Sequence, residues 1–101
     1  MLTTASSSET AERLAGQLVE RRLAACVNIL GPMRSVYRWK GAIERGEEYL
    51  LLIKTTIQVA QQLPKLFSEI HPYELPECIQ LAVEAGGAAY LGWVAGEVVA
   101  K

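Results

Sequence analysis

Residues 26–39, CVNILGPMRSVYRW, make one long extended segment. The run Ala25-Cys26-Val27-Asn28-Ile29-Leu30 suits a buried strand, Gly31-Pro32 bends it, and residues 34–39 alternate beyond the bend. Fourteen residues at about 3.3 Å each reach roughly 46 Å. A chain of 101 residues folds to a radius of gyration of roughly 13 Å, a sphere about 34 Å across. A strand pair built on this segment must therefore overhang its own domain. An overhang bearing Tyr37 and Trp39 exposes aromatic surface and unpaired strand edges, liabilities that a second copy of the chain would cover. A homo-oligomer is the expectation.

The rest of the chain supplies the partners of that segment. Ser6, Ser7 and Ser8 offer helix caps, and Ser6 with Glu9 fits a capping box. Ala11, Leu14, Ala15, Leu18 and Val19 then recur at helical spacing. Lys40-Gly41 is a turn signal, Ala42-Ile43-Glu44 is short and extended, Arg45-Gly46-Glu47 turns again, and Tyr49-Leu50-Leu51-Leu52-Ile53 is a buried strand. Thr56 caps a second helix carrying Val59, Leu63, Leu66, Phe67 and Ile70, kinked at Pro64 and ended by His71-Pro72. The two prolines of HPYELP stiffen the next loop, residues 78–83 read as a strand, and a short glycine-weakened helix spans residues 88–98. Strand, helix, strand, strand, helix, strand and a last helix make an α+β, ferredoxin-like split βαβ domain over residues 1–101, with two helices on one face of an antiparallel sheet.

Composition excludes several function classes. Ten Lys plus Arg against eleven Glu, with no Asp, give a net charge of -1, so no broad positive field invites nucleic acid or a membrane surface. One His and one Asn leave a Ser-His-Asp triad and an EF-hand loop without parts, and no Walker loop is present. An acylphosphatase-like enzyme needs an Arg-bearing phosphate loop before the first helix, where this chain has Thr4-Ala5-Ser6-Ser7. No enzyme is expected. Cys26 and Cys78 lie far apart without a zinc or redox spacing and read as reduced, packed thiols. The start of the sequence has no signal-peptide pattern, and no apolar run spans a bilayer. A cytoplasmic protein is expected.

Individual residues read first as structure. His71 suits a helix end, where its ring can bond the last carbonyls. Tyr37, Arg38, Trp39 and Lys40 resemble an aromatic-basic platform, but the RNP signature is missing and intersubunit packing explains them better. Lys54, Glu44, Glu74 and Tyr73 are placed to converge on a cleft between subunits, and Tyr37, Trp39 and Trp93 are further cleft or interface positions.

LAACVNI at residues 23–29, SVYRWKGAIE at 35–44, LLIKT at 51–55, HPYELPE at 71–77 and YLGWV at 90–94 together resemble the CutA divalent-cation tolerance proteins, block by block over the whole chain. The resemblance implies a cytoplasmic homotrimer of ferredoxin-like subunits joined by intersubunit β-pairing, similar to the trimeric nitrogen-regulatory signalling proteins. It also implies a role in tolerance of copper and other divalent metals. The ligands proposed in some members, a Cys in the first strand and a His pair before Pro-Tyr, fall here on Thr3, Ile70 and His71. Only His71 keeps a donor, so the candidate metal residues are His71, Cys26 and Glu74, with Glu77 near them. Loss of the soft donors predicts weak copper or zinc binding that depends chiefly on His71. No cofactor is required, and a small-ligand signalling or scaffold trimer is the alternative.

Overall fold

A computed structural model describes residues 1–100; Lys101, the last residue of the expected 1–101 domain, lies outside the described residues. The chain runs β1 (Leu2–Ala5), α1 (Ser8–Glu20), β2 (Cys26–Trp39), β3 (Ala42–Lys54), α2 (Ile57–Ala60), α3 (Leu63–Ile70) and α4 (Ala88–Glu97). The strands form one antiparallel sheet in the order β1-β3-β2. Leu51 and Ile53 of β3 meet Ala11, Leu14 and Leu18 of α1 and Val59, Leu63 and Phe67 from α2 and α3 in one buried cluster. This is the α+β sandwich, with α1, α2 and α3 gathered on one sheet face.

The β2–β3 ladder continues from Cys26↔Lys54 to Trp39↔Ala42, and Lys40 and Gly41, at φ 50° and 81°, close it. Positive φ at both central residues is the geometry of the tight hairpin turn that matches strand twist. The molecule measures 44 × 26 × 23 Å, so the long hairpin does project beyond the core as an arm.

Four local expectations are corrected. Ser7, not Ser6, caps α1, its Oγ accepting from Thr10 N–H at 3.0 Å. Adjacent serines have the same capping chemistry, so sequence pattern does not choose between them. Arg45-Gly46-Glu47 is no turn: Val36↔Arg45, Ser35↔Gly46 and Arg34↔Glu47 pair within β3, and ladder hydrogen bonds outweigh local glycine preference. The helix expected to kink at Pro64 is instead two helices, with Pro64 in the first turn of α3, where its missing N–H has no helical partner to lose. The strand expected over residues 78–83 narrows to a single bridge, Leu2↔Ile79, with N···O distances of 2.8 and 3.1 Å.

A two-for-one bulge interrupts β2. Leu30 pairs with Leu50 and Met33 with Glu48, leaving Gly31 and Pro32 opposite Tyr49 alone. Gly31 has φ 150°, and a Cβ there would stand 2.7 Å from Tyr49 Cδ2 and 3.1 Å from the Glu48 carbonyl oxygen. Only glycine allows this approach, and the added residue bends and twists the arm. Among the described residues no helix is long and apolar enough to cross a membrane.

Candidate functional site

The bent arm and the proline-bearing loop after α3 enclose an open cleft of about 990 Å³. Val36, Arg38, Glu47, Glu48 and Leu50 contribute to the arm side, and residues 73–79 form the facing wall. Alternation along β3 puts Leu50 and Glu48 on the sheet face opposite core-facing Leu51 and Ile53. The cleft therefore uses the face that the helices leave bare.

Two side-chain contacts tie the wall to the arm. Tyr73 Oη donates to Glu48 Oε2 at 2.8 Å, and Lys40 Nζ lies 3.6 Å from Glu74 Oε2. The Lys40–Glu74 pair is solvated on both sides and contributes little, about 0–1 kcal/mol at most. Burial, then the hydrogen bond and charge of Glu48, push the Tyr73 hydroxyl well above its ordinary pKa. It remains a neutral donor. Burial, together with the charge of Glu48, also raises the Glu77 carboxyl above its usual range.

His71 sits behind this wall, only 7% exposed. Its Nε2 lies 2.8 Å from the Thr4 carbonyl oxygen of β1, and its Nδ1 accepts the Tyr73 backbone N–H at 3.1 Å. A carbonyl only accepts, so the proton resides on Nε2 and the ring is neutral. The expected side-chain bond to the last helical carbonyls is replaced by one across to β1. With Nδ1 accepting and Nε2 donating, His71 presents no free lone pair to a metal.

Tyr37, Trp39, Tyr73 and Glu74 do line one cleft, as does Glu77. The other sequence candidates lie elsewhere. Cys26 and Lys54 face each other at the opposite end of the ladder, Glu44 opposes Tyr37 on the exposed arm, and Trp93 packs at a tilt against Tyr90 in α4, ring centroids 5.6 Å apart. The donor set His71, Cys26 and Glu74 is not assembled. Among the described residues no group of three or more His, Cys, Asp or Glu side chains could hold a metal ion. Glu48 escaped sequence reasoning because it fell beside a supposed turn; counting alternation back from Leu51 would have placed it on the cleft face.

Sheet order, connectivity and the overhanging arm define a ferredoxin-like α+β protein with an acidic cleft beside a proline-braced loop. Within that class the chain belongs to the CutA1 divalent ion tolerance protein family, whose model matches residues 1–97. It is 43% identical over 94 residues to the divalent-cation tolerance protein CutA of Thermus thermophilus, covering 93% of this chain and 91% of the relative. A solved structure of that Thermus protein superposes with a TM-score of 0.92 at 41% identity, covering 97% and 95% of the two chains. The PII-like protein CutA from Nostoc in apo form gives a TM-score of 0.90 at 37% identity, covering 99% and 96%. Mouse Protein CutA is 43% identical over 90% of this chain, which spans about half of the mouse protein's length, 51%.

Proposed function

We infer that the protein serves divalent-cation tolerance as a cytoplasmic homotrimer whose clefts associate weakly with hard divalent cations. The observation that carries this reading is the pair of carboxylates that line the two sides of one cleft, Glu48 of β3 and Glu77 of the loop wall, close enough for the charge of one to act on the other. Glu77 already holds its proton more tightly than an isolated carboxyl because it is partly buried near Glu48. A cation relieves the same repulsion that a proton does. Carboxylates prefer hard, oxygen-loving ions, and the residues do not fit a closed soft-donor copper site, since Cys26 is remote and both His71 nitrogens are engaged.

Trimer assembly is supported by apolar surface that a lone chain leaves in water. Val36, Ile43, Leu81 and Val83 are each at least 59% exposed, and the 80–84 segment has no strand partner among the described residues. Free thiols at Cys26 and Cys78 suit a reducing compartment.

Calorimetric titration of manganese(II) and copper(II) into the native protein, Glu48→Gln/Glu77→Gln and His71→Gln tests the cation reading. Weak binding that the carboxylate variant loses and His71→Gln keeps is expected. Affinity should rise with pH as Glu77 gives up its proton, since the ligand form is the carboxylate. Tight copper binding abolished by His71→Gln would overturn the reading. If none of the three proteins, native included, binds either ion, the reading is overturned in favour of a small-ligand trimer, for which the cleft is large enough.

A further inference from the structure

The sequence HPYELP holds the molecule's one imidazole between two backbone groups that make opposite demands on it. The Thr4 carbonyl oxygen requires a donor, which Nε2–H supplies at 2.8 Å. The Tyr73 N–H requires an acceptor, which the Nδ1 lone pair supplies at 3.1 Å. A neutral ring satisfies both. An imidazolium cannot, because its Nδ1–H would point at the Tyr73 N–H, donor against donor.

We propose that His71 is a proton-operated pin for the cleft wall: neutral, it locks residues 72–77 against β1, and protonated, it releases Tyr73 and with it the Tyr73–Glu48 tether across the cleft. The proposal needs only the cleft's geometry and stands whether or not a cation is the cleft's ligand. Two features couple the ring to the wall. Tyr73 carries the pinned N–H and, on the same residue, the hydroxyl that reaches Glu48 at 2.8 Å. Pro72 and Pro76 fix two φ angles of the loop, so a shift at Tyr73 moves its neighbours together.

The surroundings set the direction of the switch. Burial between β1, α3 and the loop disfavours the charged ring most strongly; the Thr4 carbonyl and Glu48 of β3 favour it, and Arg13 of α1 opposes it. The remaining neighbours are Phe67 of α3, edge-on with ring centroids 5.9 Å apart, and the neutral Tyr73 ring at 4.8 Å. The outcome is a pKa below the ordinary 6.5, so the pin is set at neutral pH and is released by acidification.

Because the chain contains one histidine, its imidazole resonances are assigned by inspection. The experiment follows the His71 ring and the Tyr73 backbone amide by NMR from about pH 8 to pH 4.5, in native protein, His71→Gln and Tyr73→Phe. The proposal expects the Nε2–H tautomer at the alkaline end, a ring midpoint below the reference value of about 6.5, and a Tyr73 amide transition with that same midpoint. His71→Gln should lose this transition. Tyr73→Phe, which keeps the pinned N–H but not the tether to Glu48, should retain it, and decides the matter if His71→Gln does not fold. A Tyr73 amide that stays still while His71 titrates, an unchanged transition in His71→Gln, or a His71 midpoint at or above 6.5 would overturn the proposal.

Discussion

Thr3 is fully buried on β1, yet its hydroxyl has no hydrogen-bond partner among the described residues. An unsatisfied buried hydroxyl is destabilising, and valine keeps the β-branched shape without it. Thr3→Val should therefore raise stability by about 1 kcal/mol, read as a higher urea midpoint at matched protein concentration; a loss of stability would show that the hydroxyl finds a partner in the assembled protein. His71 gives the second prediction at this scale. Its native pKa is lowered chiefly by burial, so on acidification the unfolded chain takes up the proton first. The stability tied to the neutral ring is complete above about 6.5 and is lost as pH falls through the window below it. Thermal melts of native protein and His71→Gln across that window should diverge in slope, the variant being flatter. The ring's place at a helix end was legible from His-Pro, which stops a helix. Its partners were not, because Thr4 is 67 residues away in the chain and no local pattern reports a contact of that separation.

Elements were legible where apolar periodicity was strong and ambiguous where glycine or proline could be read in two ways. Ala11, Leu14 and Leu18 of the α1 stripe are buried where the pattern places them, although Val19 is 43% exposed, and the run Tyr49-Leu50-Leu51-Leu52-Ile53 lies in β3 with Leu51 and Ile53 buried. Gly46 suggested a turn, but it lies in a ladder where a Cβ would meet nothing within 4 Å. Gly31, by contrast, marks a real departure, with φ 150° and Tyr49 crowding the place of a Cβ. The two glycines therefore predict opposite responses to the same change. Gly31→Ala should cost about 1–3 kcal/mol, from strain and overpacking against a backbone carbonyl. Gly46→Ala should be neutral or slightly stabilising, by up to about 1 kcal/mol, through the unfolded chain. Equal urea midpoints for the two variants would show that the bulge does not depend on glycine. The single bridge at Ile79 has a related cause: residues 78–83 have strand composition, yet among the described residues only the short β1 edge lies beside them, and four residues offer little to pair with.

At the scale of the molecule, a 14-residue strand and its partner draw the body out to 44 Å and leave the arm largely in solvent. Overhang was the most legible property of the sequence, since it needs only residue count and rise per residue. The cleft was less so: it arises from the bend at Gly31-Pro32 meeting a loop some 40 residues later, and neither half announces the other. Leu81 is the most informative position for the assembly. It is 59% exposed in the single chain and belongs to none of its core, so a charge there leaves the subunit's own packing intact. Buried between copies, the same charge is strongly destabilising. The direct measurement is the mass of native protein and Leu81→Glu in dilute solution, by light scattering at micromolar concentration. Three times the chain mass of 11.1 kDa for the native protein, falling toward a single folded chain in Leu81→Glu, is the predicted result; a native protein that stays monomeric would contradict the account.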